Sequence, residues 1–420
     1  MLQGFSRDAW LLFATRFIRL FAYGSLSVVL VFYLIGIGLS EAHIGTLLTL
    51  TLVGDTAVSL SLTTRADRIG RRRVLLVGAL LMAVAGVVFA STNALWLLLL
   101  AGTIGVISPS GNEVGPFLPI EQAALSQVAT DRTRTDVLAW YTLVGSVATA
   151  LGALAAGMAT RGLQETAMAP ASRYRAVVIL YAVLGVTLAA LFSRVSGAAE
   201  ATTVRERKAL RATLVSLSGL DRSRDVVVKL AALFALDSFA GGFVIQSFAA
   251  YWFYLRFGLD PATLGVIFFW ANIFAGLSAL LASRLASRFG LITTMVATHV
   301  PSNLLLILVP LMPTLPLAVV VLLARFSISQ MDVPTRQSYL MAVVSPEERS
   351  AAAGIAGVAR TIGAAISPIF VGFMFARPAL INLPFFIAGT LKITYDLLLY
   401  RAFVTLRPPE EVRNEQAPSH

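Results

Sequence analysis

Three carboxylates lie inside long apolar runs of this 420-residue chain, where an ionised side chain is costly. Asp55, Glu113 and Asp237 have no basic residue three or four positions away. A carboxylate embedded in a membrane can bind and release a proton, or pair with a cation, as its surroundings change. These three residues are therefore the proton-coupling candidates. Hydrogen bonding between helices is the alternative role for each of them.

Other charges also fall within or near apolar runs. Lys392 and Asp396 stand four residues apart on one predicted helix and are expected to pair with each other. Arg16 and Arg19, in the first turns of a span, are expected to extend to the cytoplasmic surface. The remaining embedded charges are Asp332, Arg325, Arg336 and Arg360.

Aromatic and amide side chains in the same runs are candidates for contact with a solute, because a mostly apolar lining suits an amphipathic organic compound. Packing within the core or at the membrane interface is the alternative role for most of them. The substrate-cavity candidates are Tyr23, Tyr33, Gln246, Tyr251, Trp270 and Asn272.

The elements that position these residues are predicted membrane-spanning helices. The chain is 57% hydrophobic and only 13% charged, and apolar runs of about 18 residues or more recur along it. It has no cysteine and only three scattered histidines, so neither a metal site nor a cofactor is expected. Twelve spans are predicted, near 15–37, 43–63, 74–91, 94–120, 136–159, 175–193, 229–255, 262–283, 291–311, 316–341, 351–375 and 381–402.

The net charge of +11 follows from topology and does not indicate nucleic-acid binding. With an even number of spans, both termini lie on one side of the membrane. The termini and the loops of that side carry 25 Lys and Arg residues, and the opposite loops carry five. The positive-inside rule therefore predicts an integral plasma (inner) membrane protein with both termini in the cytoplasm.

An internal repeat divides the chain. One offset along the sequence aligns Gly38–Gly45 with Gly258–Gly265, and a second, slightly shorter offset aligns Pro119 and Gln122 with Pro334 and Gln337. These matches predict two pseudo-symmetric six-helix bundles in an all-α polytopic protein. The predicted parts are a first bundle (1–193), a cytoplasmic linker (194–228), a second bundle (229–402) and a cytoplasmic tail (403–420).

The loop after the second span reads "TTRADRIGRRR" and resembles the loop signature of the major facilitator superfamily. The residues that match the signature are Asp67, Arg68, Gly70, Arg71 and Arg72, and Thr63 departs from it. The resemblance implies that Asp67 helps to latch the halves on the cytoplasmic side, near the start of the eleventh span. That start reads "SPEER", for which we predict an N-cap at Ser345 and a capping box completed by Glu348.

Duplicated bundles, embedded acids and the resemblance together predict a secondary active transporter. We expect it to move a small organic solute by alternating access, as a monomer, with proton coupling and with export favoured over import. An uncoupled facilitator remains an alternative, as does a non-transporting membrane scaffold. No nucleophile–base pair, nucleotide-binding loop or metal cluster indicates an enzyme.

The stretch "SPSGNEVGPFLPIEQ" is unusual because it combines three prolines with two glutamates where a span is expected. Pro109, Gly111 and Pro116 are expected to soften this span and to free backbone groups that face a cavity. At the second offset Glu121 corresponds to Arg336, and this difference in sign predicts a contact between the two. Glu113 corresponds to Ile328 and is peculiar to the first half.

Overall fold

The computed structural model describes residues 6–128, 134–164, 168–196, 223–345 and 348–406. These residues form fifteen α-helices and two short 3₁₀ turns, Val309–Leu311 and Pro378–Leu380. The helices of the first half are α1 (Arg7–Gly36), α2 (Glu41–Ile69), α3 (Arg71–Ser91), α4 (Leu95–Ile104), α5 (Phe117–Val128), α6 (Arg134–Gln164) and α7 (Pro170–Phe192). Those of the second half are α8 (Arg224–Gly242), α9 (Gln246–Phe257), α10 (Pro261–Phe289), α11 (Leu291–Leu308), α12 (Leu315–Phe326), α13 (Asp332–Val343), α14 (Arg349–Phe375) and α15 (Leu383–Phe403).

Ten helical segments within these ranges are long and apolar enough to cross a membrane, with α8 and α9 counted together. Two shorter apolar helices, α4 and α12, occupy the places of the predicted fourth and tenth spans. Each is followed by a second helix of twelve residues, α5 or α13. The fourth and tenth spans are therefore interrupted helices, and the architecture is consistent with the twelve predicted spans.

The repeat is visible in the helix boundaries. Helices α2 and α10 have the same length, 29 residues, and their first residues are aligned by the first offset of the repeat. Helices α5 and α13 also share one length, twelve residues, and their first residues are aligned by the second offset. Gly70 and Gly290, which end α2 and α10, have φ angles of 105° and 82°. A residue with a Cβ resists this backbone conformation, so glycine serves the same turn in both halves.

The described helices group into two compact units. The first unit contains residues 1–207, 244–273 and 365–382, and the second contains 208–243, 274–364 and 383–420. Helix α8 thus belongs to the second unit and α9 to the first. The predicted bundle and linker boundaries stay predictions. Most of the linker (197–222) and of the tail (407–420) lies outside the described residues.

Two close helix contacts in the first unit join segments from both halves of the sequence. A Cβ added to Gly45 would lie 2.6 Å from the Pro368 carbonyl oxygen and 2.9 Å from the Gly372 Cα. A Cβ added to Gly265 would lie 3.1 Å from the Gly157 Cα. The first offset relates Gly45 to Gly265, and the second relates Gly157 to Gly372, so these are two copies of one contact. Glycine is needed because any side chain would separate the helices.

The second unit has its own apolar core. Val227, Leu230 and Phe234 of α8 pack with Ala352 and Ala356 of α14, and residues of α11, α13 and α15 complete the cluster. This core lies beside the embedded charges of the unit, since Asp237 follows Phe234 by one turn of α8.

Candidate functional site: two buried charge clusters

Residues 105–116 interrupt the fourth span between α4 and α5. Non-helical backbone at this depth requires hydrogen-bond partners other than water. Side chains of neighbouring helices provide them. The acceptors are the carbonyl oxygens of Val106 (from Tyr181 Oη, 2.5 Å), Pro109 (from Ser247 Oγ, 2.5 Å), Gly111 (from Thr149 Oγ1, 3.3 Å) and Val114 (from Tyr23 Oη, 3.3 Å). The freed backbone groups were expected to face a cavity, and these four carbonyl oxygens instead accept hydrogen bonds from protein side chains.

A buried ion-pair cluster lies next to this interruption. Arg19 of α1 donates two hydrogen bonds to Glu121 of α5, from Nη1 to Oε1 (2.9 Å) and from Nη2 to Oε2 (2.6 Å). Its Nε donates to Glu113 Oε1 (2.7 Å), and Arg16 Nη1 donates to Glu113 Oε2 (2.5 Å). Thr15 and Tyr141 complete the ligand shell of Glu121. Arg19 and Glu121 are fully enclosed, at 0% exposure.

The prediction that Arg16 and Arg19 reach the cytoplasmic surface was therefore wrong. The two residues are three positions apart and share one face of α1. The interrupted fourth span presents Glu113 and Glu121 to that face, and Arg19 also lies over the ring of Phe117, 4.6 Å from its centroid. A buried pair is kept when further hydrogen bonds satisfy both charges, as they do here.

Asp55 differs from these acids because no cation among the described residues contacts it. It is 9% exposed, and its Oδ1 accepts one hydrogen bond, from the Gly115 backbone N–H (2.7 Å). Gly115 has a φ of 80° and lies just before α5, so the carboxylate stands near the positive end of that helix. Within the described part of the first unit's cluster, Asp55 is the carboxylate without an ion pair.

Asp237 is the centre of a second cluster, in the second unit. Its Oδ1 accepts from Lys392 Nζ of α15 (2.5 Å), and its Oδ2 accepts from Arg336 Nη1 of α13 (2.9 Å). Arg336 also lies 3.4 Å from Asp332 Oδ2, one turn earlier on the same helix. The sequence indicated no cation near Asp237 because Arg336 is 99 residues away along the chain and Lys392 is 155 residues away.

His299 of α11 extends this cluster and was not among the predicted site residues. Its Nδ1 lies 2.8 Å from Asp396 Oδ1, and its Nε2 lies 3.9 Å from Asp237 Oδ1. Asn303 Nδ2 donates to the other oxygen of Asp396 (3.3 Å). The predicted pairing of Lys392 with Asp396 is therefore wrong. Both side chains face the unit interior, where Asp237 and His299 are better placed partners.

The expected contact between Glu121 and Arg336 stays a prediction, and each residue has partners within its own unit. Glu121 on the fourth span pairs with Arg19 on the first, and Arg336 on the tenth span pairs with Asp237 on the seventh. The difference in sign noted in the sequence is compensated locally. An ion pair joins equivalent spans in both halves. The arginine is on the first span in one half and on the tenth span in the other.

Arg325 of α12 and Arg360 of α14 lie beside the second cluster without a hydrogen bond to any described residue. Both side chains are half-buried. The enclosed Nε atoms of Arg325, Arg336 and Arg360, and the hydroxyl of Tyr395, have no partner among the described atoms. Guanidinium groups in such a position are costly unless a counter-charge reaches them.

The predicted cavity residues separate into three kinds. The hydroxyls of Tyr23 and Tyr33 bind the Val114 and Phe89 carbonyl oxygens, so both rings are enclosed in the first unit. Trp270 is 47% exposed. The other three residues make polar side-chain contacts within that unit. They are Gln246, which links Ser27 and Asn272, Asn272 itself, and Tyr251, which binds Glu41.

The predicted gate motif spans the end of α2 and the start of α3. Gly70 has a positive φ, Arg71 is buried, and Arg68 is exposed. Arg72 Nη2 donates to the Ser193 carbonyl oxygen at the end of α7. The Asp67 side chain is not described, so the latch stays a prediction.

The start of the eleventh span differs from the prediction. Helix α14 begins at Arg349, and Glu348 Oε2 accepts from the Ser223 backbone N–H (3.0 Å) next to the start of α8. Residues 346–347 lie outside the described ranges. No group of three or more potential metal ligands occurs in the part of the chain that the structure describes.

Comparisons with known proteins agree with this architecture. The family model of the Major Facilitator Superfamily matches residues 12–328 and 232–419. An uncharacterized membrane protein of Saccharomyces cerevisiae is 32% identical over 424 aligned positions, covering 95% of this chain and 94% of that protein.

Two solved structures show the same fold at low identity. A variant of the nucleoside transporter NupG has a TM-score of 0.76 at 13% identity and covers 94% of this chain and 100% of that one. A D-xylose–proton symporter has a TM-score of 0.68 at 16% identity and covers 94% of this chain and 97% of that one.

Proposed function

The chain belongs to the major facilitator superfamily, and from this premise we propose that it is a proton-coupled secondary active transporter of a small organic solute. The single observation that carries the coupling is the state of Asp55. This carboxylate is buried, has one hydrogen-bond donor and has no cation beside it among the described side chains. A proton can therefore neutralise it without breaking an ion pair.

Glu113 and Asp237, the other two coupling candidates, stand in a different position. Protonation of Glu113 would break its contacts with Arg16 and Arg19, and protonation of Asp237 would break those with Lys392 and Arg336. The first event would leave Arg16, and the second would leave Lys392, without a carboxylate partner among the described residues, which is unfavourable. In this proposal the two residues hold helices together, and Asp55 carries the proton.

The chemistry at Asp55 is simple. Gly115 N–H donates to Oδ1, so Oδ2 is the oxygen that takes the proton, and the bond to Gly115 can persist. Protonation removes a negative charge from the start of α5 and so weakens the attraction between that helix end and α2. A proton bound at this point therefore biases the packing of the fourth span against the second. Such a bias is the kind of differential contact that alternating access requires.

The two solved proteins named above are a nucleoside transporter and a sugar–proton symporter, and at these identities they support only the fold. We keep export as the favoured direction, since the chain has no recognisable sugar or peptide signature. We also keep a monomer in the plasma membrane with cytoplasmic termini. Labelling of single cysteines placed at His43 and Arg194 tests the topology in this cysteine-free chain, because only the first is expected to react from outside.

The coupling is tested in proteoliposomes with radiolabelled benzoate, uridine and D-xylose as probes. Counterflow identifies a transported probe, and an imposed pH gradient then tests its accumulation. We expect Asp55→Asn to retain counterflow and to lose gradient-driven accumulation. Asp260→Asn is the matched control, because Asp260 also accepts one backbone N–H, from Thr263 (2.9 Å), at a helix start.

Two outcomes would overturn the coupling proposal. Full gradient-driven accumulation by Asp55→Asn would exclude this residue as the proton carrier. Counterflow by the unmodified protein without any gradient-driven accumulation would indicate the uncoupled facilitator. The sign of the gradient that drives accumulation decides between export and import.

A further inference from the structure

The charge cluster of the second unit contains more cations than carboxylates. Four cations, Arg325, Arg336, Arg360 and Lys392, stand against three carboxylates, Asp237, Asp332 and Asp396. The carboxylates are already engaged, by Lys392 and Arg336 at Asp237, by Arg336 at Asp332, and by His299 and Asn303 at Asp396. The described residues therefore leave Arg325 and Arg360 without a counter-charge of their own.

Both arginines lie within the electrostatic reach of this cluster. Arg325 interacts with Asp332 and Asp237, while Arg360 is repelled by Arg336 and attracted by Asp237 and Asp332. Neither makes a hydrogen bond to these acids. A guanidinium carries five N–H donors, and the enclosed Nε of each residue is unused by the described atoms. The Nε–H of each half-buried arginine is thus an enclosed donor, and the described part of the chain provides no acceptor for it.

Helix packing holds Arg360 in this place. Ala356 is part of the apolar core against α8, and a Cβ added to Gly363 would lie 2.3 Å from the Ala235 carbonyl oxygen. Residues 356, 360 and 363 fall on one face of α14, so Arg360 projects from the face that packs on α8. The packing of Ala356 and Gly363 therefore fixes the backbone of Arg360 on the α8 side of α14. From this position its charge interacts with Asp237 and Arg336.

We infer that Arg325 and Arg360 bind an anionic group of the transported solute, namely a carboxylate, a phosphate or a sulfonate. The inference rests on the proposed function, because it assigns the substrate class of that transporter. Planar guanidinium groups bind such anions through paired, charge-assisted hydrogen bonds. An organic anion would supply the missing counter-charge and the missing acceptors together. A neutral sugar or nucleoside would supply no charge.

The test compares matched probes on the full-length protein in detergent at constant ionic strength. Benzoate and phenyl phosphate are the anions, and benzamide is the neutral analogue of benzoate. We expect an anion to raise the thermal unfolding temperature more than benzamide does. Arg325→Gln and Arg360→Gln should each weaken anion binding about 10- to 100-fold, since one charge-assisted interaction is lost.

Arg256→Gln is the matched control. Arg256 is exposed, lies over the ring of the next residue at 5.8 Å as Arg325 does at 5.1 Å, and is outside the cluster. It should bind the anions like the unmodified protein. Arg325→Lys and Arg360→Lys keep the charge and should recover part of the affinity. They also provide folded variants if a glutamine variant does not purify.

Three results would overturn the inference. The first is equal stabilisation by benzamide and by both anions, and the second is anion binding that survives in the double variant Arg325→Gln/Arg360→Gln. The third is binding of dioctanoyl phosphatidylglycerol alone, which would assign the cations to lipid. Anion binding by Asp55→Asn separates this inference from the proposed function, because the solute site should persist there even if proton coupling fails.

Discussion

The two units contain buried charge clusters at equivalent spans, yet their surplus charge has opposite sign. In the first unit, Arg16 and Arg19 stand against three carboxylates, and the carboxylate left without a described cation is Asp55. In the second unit, four cations stand against three carboxylates, and the cations left over are Arg325 and Arg360. The scaffold is duplicated, but the surplus charge is not.

This difference suggests how the two halves of a duplicated scaffold come to have different roles. The paired charges join the same spans in both halves, first with fourth and seventh with tenth, and so serve the architecture. The surplus charges differ and are suited to different cargo: a proton for the surplus acid, an anion for the surplus guanidinium groups. Binding of one proton in the first cluster and one monovalent anion in the second would leave the summed charge of the two clusters unchanged.

The largest expected effect comes from breaking a fully enclosed pair. Glu121→Gln leaves Arg19 with only Glu113 as a charged partner among the described residues and should destabilise the protein by about 3–5 kcal/mol, as removal of one partner from a buried ion pair does. Glu113→Gln should cost less, because its side chain is 14% exposed and Arg19 keeps Glu121. Thermal unfolding in detergent measures both. Equal losses of stability in the two variants would mean that the two glutamates contribute equally and that burial does not determine the strength of these ion pairs.

An intermediate effect tests what the halves share. Gly45→Val and Gly265→Val both insert a side chain into a glycine contact between helices and should each cost about 1–3 kcal/mol, as overpacking does. Gly162→Val is the control, since a Cβ there meets no described atom within 4 Å. The unfolding temperatures of Gly45→Val and Gly265→Val should be similar, and both should be lower than that of Gly162→Val. A large gap between them would show that the duplicated contact is not equivalent in the two halves.

The smallest expected effect is a gain in stability, and it distinguishes the unpaired arginines from the paired one. Arg360→Gln removes a cation that is repelled by Arg336, so without added anion it should stabilise the protein by up to about 1 kcal/mol. Arg336→Gln, which breaks contacts to Asp237 and Asp332, should destabilise it. The unfolding temperatures of the two variants in anion-free buffer provide the measurement. Destabilisation by Arg360→Gln would mean that this arginine is already paired.

Much of the fold could be predicted from the sequence, because span length, basic loops and repeat offsets are local or periodic signals. For the fourth span, Pro109, Gly111 and Pro116 predicted a softened helix with freed backbone groups, and the structure divides it into the two helices α4 and α5. The interruption of the tenth span had no such signal, since residues 327–331 contain neither proline nor glycine. There the repeat itself was the only available signal.

The partners of the embedded charges could not be predicted in the same way. Arg19 and Glu121 are 102 residues apart, and Asp237 and Lys392 are 155 residues apart, so a search at helical spacing finds neither pair. It found the local pair Lys392 and Asp396, which tertiary packing overrides. His299 had a usable signal: a histidine inside an apolar span, four residues before Asn303 and therefore on the same face of its helix.

The interrupted fourth span also has a consequence for biogenesis. Helix α4 contains ten residues and is about 15 Å long, roughly half the thickness of the hydrocarbon core. The segment that follows it obtains its hydrogen-bond partners from α1, α2, α6, α7 and α9. Four of these five helices belong to the first half, but Ser247 of α9 is synthesised 138 residues after Pro109. The fourth span therefore cannot complete its hydrogen bonds as it leaves the ribosome. Its packing is complete only after the seventh span has been synthesised.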